Sequence, residues 1–146
     1  MSEYKIDHLG IAVKSLDAAL QFYTGALGME APHRENVAGE KVNIAMLACG
    51  GPRLELLEPA GADSPIGKFL EKRGEGMHHL TFDVPDCKAK TAELKEQGVR
   101  IVDEHQWSPN SYESFISPRS SHGVLIQLGS GYPTLNSDPA WTTKKE

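Results

Sequence analysis

Four residues of metal-ligating type recur in this sequence at matched intervals: His8, Glu55, His79 and Gln127. Glu55 follows His8 by 47 positions, and Gln127 follows His79 by 48. Two imidazoles, a carboxylate and an amide are costly to bury side by side unless a cation compensates them. That donor set suits a borderline divalent ion such as cobalt, nickel, manganese, iron or zinc. Near-equal spacing of a histidine and an acidic or amide residue predicts one divalent metal site assembled from two halves of the chain.

The elements that must position these residues repeat as well. "DHLGIAVKSLDAALQFYTGALGME" begins at Asp7 and "HHLTFDVPDCKAKTAELKEQGVRI" at His78. Each reads as a histidine, an alternating strand ending in valine, a turn, and a helix closed by glycine. His8 aligns with His79, Val13 with Val84, and Gly28 with Gly98 after one gap. A later apolar strand follows in each half, "RLELLEP" from Arg53 and "GVLIQLG" from Gly123, which pairs Glu55 with Gln127. The fold class is therefore α+β, a repeated βαβββ unit. "KVNIAMLAC" and "YESFISP" are further strands, and "SPIGKFLEKRG" is a helix linking the halves, with Ser64 as cap, Pro65 in its first turn and Gly74 past its end.

Strand periodicity assigns the faces. Leu9, Ile11 and Val13 share one side of the first strand, and Leu80, Phe82 and Val84 share one side of its repeat; these apolar sets form the beds for the helices. His8, Glu55, His79 and Gln127 then all fall on the face that the helices leave free. His78, one step out of register, points back toward the helix side or the rim.

The chain of 146 residues is long enough for one domain, expected over 1–132, with modules at about 5–60 and 76–130 and the linking helix at about 64–73. The turn-rich stretch from Gly129 onward reads as a tail, 133–146 lying outside the domain, with Trp141 as an anchor. A net charge of -5 argues against a nucleic-acid surface, which needs a concentrated basic stripe. No apolar run approaches a membrane span, and "MSEYKIDH" lacks an apolar signal core. Cys49 and Cys87 form no CxxC, which argues against a disulfide framework. A cytoplasmic protein without a membrane partner is expected.

The segments "IDHLGIAV", "RLELLEP", "DSPIGKFLEKRGEGMHHLTFDV" and "GVLIQL", in that order, resemble the vicinal oxygen chelate superfamily, and within it the methylmalonyl-CoA epimerases most. The resemblance covers most of residues 5–129. It implies a cup-shaped mixed sheet of two βαβββ modules with helices on the outer face, a divalent metal held by His8, Glu55, His79 and Gln127, and a homodimer. It also implies an epimerase that acts on methylmalonyl-CoA or a related 2-carboxyacyl-CoA through a metal-stabilised enolate, with carboxylates moving the proton at carbon 2.

The sequence departs from that pattern at the proton carriers. Gln127 stands where a glutamate is usual, and an amide offers oxygen to a metal but takes no proton at neutral pH. A second catalytic carboxylate of some members falls at about Asn43, and "QWSPNSYESF" replaces a glycine-rich loop. Glu40 is the nearest substitute in sequence. Asp83, Tyr112 and Glu113 come after it, each reading as a solvated strand or loop residue. Gln127→Glu is accordingly expected to restore a base. Two other readings fit the same scaffold: a lactoylglutathione lyase-like enzyme, and a non-catalytic small-molecule-binding module.

Overall fold

In "KIDHLGIA" the side chains alternate between faces, and this segment forms strand β1 (Lys5–Ala12). The computed structural model describes residues 3–61 and 63–130. The first module continues with α1 (Leu16–Leu20), then β2 (His33–Val37), β3 (Val42–Ala48) and β4 (Arg53–Pro59). Helix α2 (Pro65–Arg73) follows, and the second module is β5 (Gly76–Asp83), α3 (Cys87–Glu96), β6 (Ile101–Ser108), β7 (Ser111–Ile116) and β8 (Ile126–Ser130). Strand order is the same in both modules, β2-β3-β4-β1 in the first and β6-β7-β8-β5 in the second. Equivalent backbone bonds mark the repeat: Val13 N–H donates to the Leu57 carbonyl and Val84 N–H to the Gly129 carbonyl, both at 2.9 Å. Both modules' helical segments are followed by a glycine at positive φ, Gly28 at 78° and Gly98 at 85°, where a side chain would be strained.

Contacts divide the described chain into two compact units, one of residues 9–78 and one of residues 3–8 with 79–130. In the first, β3 runs antiparallel to both β2 and β4, with Met46 opposite Glu55. Helix α1 is capped by the Ser15 hydroxyl, which accepts the Ala18 N–H, and runs on as a π-turn over Gln21–Ala26. Its Leu16 and Leu20 pack with Val13, Ala45, Leu47 and Leu56. The opposite face of the same strands carries Ala12, Val42, Ile44 and Leu57, which pack against Ile66, Phe69 and Leu70 of α2. The linking helix thus lies across the strands from α1.

In the second unit, β5 runs parallel to β8, and β8, β7 and β6 continue antiparallel. Helix α3 starts at Asp86, whose carboxylate accepts the Ala89 N–H. It packs on the face carrying Val84, Ile116 and Leu128. Beneath it, the hydroxyls of Thr91 and Ser114 lie 2.8 Å apart, and the Cys87 sulfur touches both. One sequence expectation changes here, beside that for the first unit, where α2 covers the strand face of Glu55 that was expected to be free of helices. The strand expected to give way to a tail at Gly129 runs on to Ser130, because Gly129 and Ser130 pair with Glu113 and Tyr112. The segment "QWSPNSYESF" closes the β6–β7 hairpin, its polar residues lying exposed along β6. Trp141 and the tail expectation lie outside the described residues. Among those residues, no helix is long and apolar enough to cross a membrane.

Candidate metal centre

Residues of the second unit build the centre: His8 on β1, His79 and Thr81 on β5, and Gln127 on β8. Thr81 and Gln127 are register partners, so both present side chains on the face away from α3. All four residues are buried. The Nε2 atoms of His8 and His79 lie 3.3 Å apart with the rings edge to face. Two nitrogens that each sit about 2.1 Å from one ion are roughly 3.0–3.4 Å apart in octahedral or tetrahedral geometry, so this separation fits a shared cation.

His8 is oriented from behind. Its Nδ1 lies 2.7 Å from the Asp7 carboxylate, which accepts the Nδ1 proton and leaves Nε2 as a nitrogen that could ligate a metal. Thr81 Oγ1 stands 3.0 Å from His8 Nε2 and donates its proton to Gln127 Oε1 at 2.8 Å. The Gln127 amide in turn donates from Nε2 to Glu113 Oε1 at 2.7 Å. Glu113 is 5% exposed, and among the described residues its Oε2 has no hydrogen-bond partner. Burial pushes the Glu113 carboxyl up, and hydrogen bonds from Gln127 and Trp107 oppose that rise.

Glu55 belongs to the other unit. It is half-buried on β4, opposite Met46, on the strand face that also carries Leu57 and Ile44. His78 lies in that unit as well, and its ring meets Phe69 of α2 edge-on at 4.9 Å. Burial lowers the His78 pKa, with the negative charge of Glu55 pulling the other way. His78 and His79 therefore serve different environments, as strand alternation requires.

The residues considered for proton transfer separate clearly. Asn43 donates from Nδ2 to Glu58 at 3.1 Å and accepts from Asn36 at 2.7 Å, and the other Glu58 oxygen takes the Leu16 N–H at 2.6 Å. Asn43 thus ties β2, β3 and β4 to the start of α1. Its neighbours along the strand on that face, Ala45 and Leu47, pack under α1, so it lies across β3 from Ile44 and Met46. Glu40 is exposed on the 3-10 turn Ala38–Glu40. Tyr112 gives its hydroxyl proton to Glu104. Asp83 is half-buried, its carboxyl pushed up first by burial and then by the charge of Asp7. Glu113 is the correction: a solvated reading fails because the β7–β8 pairing carries it inward beside Gln127. The sequence assigns no role to Asp7 or Thr81, although Asp7 adjoins His8 and Thr81 lies two positions past His79 on the same face.

A sequence profile of the Glyoxalase/Bleomycin resistance protein/Dioxygenase superfamily matches residues 5–128. The chain is 41% identical over 126 residues to an uncharacterized protein, YqjC, of Bacillus subtilis, covering 85% of this chain and 90% of that one. It is 32% identical over 127 residues to the mitochondrial methylmalonyl-CoA epimerase of Bos taurus, covering 85% of this chain and 73% of the relative. Among solved structures, a Streptomyces coelicolor methylmalonyl-CoA epimerase variant bound to 2-nitronate-propionyl-CoA superposes with a TM-score of 0.79. That match is 38% identical and covers 88% of this chain and 98% of the other.

Proposed function

The chain belongs to the Glyoxalase/Bleomycin resistance protein/Dioxygenase superfamily, and from that premise we propose that it is a metal-dependent epimerase of methylmalonyl-CoA or a closely related 2-carboxyacyl-CoA. The observation that carries this reading is the buried His8–His79 pair, its Nε2 atoms 3.3 Å apart and His8 oriented by Asp7. His8, Glu55 and His79 are the donor types that hold a metal ion, and the amide oxygen of Gln127 accepts from Thr81, whose hydroxyl stands against His8. These four residues would hold a divalent cation, which would supply positive charge to the substrate oxygen of an enolate.

The chain's own residues do the rest. Asp7 holds the His8 ring in one tautomer. Thr81 and Glu113 fix the Gln127 amide between them. Gln127 itself would orient and ligate but carries no proton; Glu40, exposed on the turn before β3, is the carboxylate proposed to move it on its nearness in sequence alone. Glu40→Gln is then expected to lower kcat for exchange at least tenfold while leaving metal affinity unchanged; an undiminished rate sends the search for a base elsewhere. The resemblance also suggests a homodimer, which light scattering on the purified chain checks as twice the chain mass.

The reading is tested by incubating a single epimer of methylmalonyl-CoA with the metal-loaded protein in deuterium oxide. Deuterium at carbon 2 together with both epimers is the expected result. A substrate that keeps its proton and its configuration overturns the proposed reaction.

A further inference from the structure

The two modules are not chemically equal behind their ligands. Ile44 of β3 pairs with Leu57, two residues past Glu55, and Glu113 of β7 pairs with Gly129, two residues past Gln127. Ile44 and Glu113 are therefore repeat equivalents on the same face of their sheets. In the first module the carboxylate is at the ligand position and an apolar side chain stands behind it. In the second an amide is at the ligand position and a buried carboxylate stands behind it. Each module carries one carboxylate, one step apart.

Burying Glu113 is costly: Trp107 and His105, its partner across β6, offset only part of that cost, and among the described residues its Oε2 has no hydrogen-bond partner. What it does have is the Gln127 amide. A carboxylate only accepts, so Gln127 must turn its NH2 toward Glu113. That leaves Gln127 Oε1 facing Thr81 Oγ1, which stands 3.0 Å from the ligating nitrogen of His8. An amide with neutral neighbours has two senses, and the wrong one would aim N–H groups at the cation.

We propose that Glu113 is the positioning residue of the metal centre: it fixes the Gln127 amide with its oxygen toward the histidines, and it supplies from one side chain back the negative charge that Gln127 lacks. This rests on the metal site proposed above. It also reverses the sequence-based expectation for Gln127. Gln127→Glu alone sets two carboxylates in buried contact where one N–H bond stood, so it disturbs the site instead of restoring it. The exchanged pair, Glu113→Gln with Gln127→Glu, rebuilds the bond in the opposite sense and keeps the charge.

Cobalt(II) binding to the full chain, followed by calorimetry and by the visible cobalt spectrum, tests this with three variants. Glu113→Gln is expected to bind cobalt about 10- to 100-fold more weakly, as loss of an orienting partner does, with an altered spectrum. Gln127→Glu is expected to melt at lower temperature without metal, and the exchanged pair to regain both melting temperature and wild-type-like affinity. Wild-type affinity and spectrum in Glu113→Gln overturn the positioning role alone. A wild-type chain that binds no cobalt overturns the metal reading and this role with it. If Glu113→Gln does not fold, the exchanged pair decides: binding upholds the role, and failure to bind sinks it.

Discussion

Asp7 and His8 show how much of the proposed centre depends on single neighbouring residues. The Asp7 carboxylate accepts from His8 Nδ1 at 2.7 Å, which aims Nε2. Asp7→Asn keeps the shape and loses the charge. Its cobalt dissociation constant is expected to rise about 10- to 100-fold, measured by calorimetric titration; an unchanged value means His8 needs no such partner. At this scale the histidines were legible in the sequence, because a period of two assigns a strand residue to a face without further information. Glu113 was not. A glutamate in "SYESF" looks solvated by type, and only the pairing of β7 with β8 shows that it lies inward next to Gln127.

At the scale of elements, the repeat, the closing glycines and the Ser64 cap locate the three helices. Ser15, Ser64 and Asp86 each accept a backbone N–H in the first turn, as their residue types suggest. The strands β2 and β6 were harder to see, because they lie at the sheet edges and their polar, exposed side chains give no apolar alternation. The same blindness to pairing affected Asn43. By sequence position it stands where a catalytic carboxylate is found in some family members; in the structure it is a brace between Asn36 and Glu58, on the α1 face of β3. Asn43→Asp sets a second carboxylate against Glu58, so the melting temperature is expected to fall by a few degrees with the exchange rate unchanged. A gain in exchange rate would place Asn43 in the chemistry and contradict this assignment.

For the whole molecule, the internal repeat was the most informative feature of the sequence. It fixed the element order, the equivalence of His8 with His79, and the pairing of Glu55 with Gln127, because each module must bury the same apolar face under its own helix. It could not show where the two modules differ behind their ligands, since that lies in side-chain contacts the repeat does not preserve. Global packing gives a separate check through the thiols. Cys49 is exposed, whereas Cys87 is fully buried against Thr91 and Ser114, and burial pushes its thiol up. One thiol per folded chain is expected to react with a disulfide reagent at pH 8, and the second only at the rate of unfolding; two fast thiols would contradict the packing of α3. Because the folded state favours the neutral Cys87 thiol, its contribution is complete below the ordinary thiol pKa and is lost as pH rises above it, so stability should decline on the alkaline side.

On the proposed function, His79 and not His78 joins His8 in holding a divalent ion. Elemental analysis of cobalt-loaded, gel-filtered protein tests it most directly. One ion per chain is expected in the wild type, nearly the same in His78→Ala, and almost none in His79→Ala. A wild type that retains no metal, or equal loss from the two histidine variants, would contradict it.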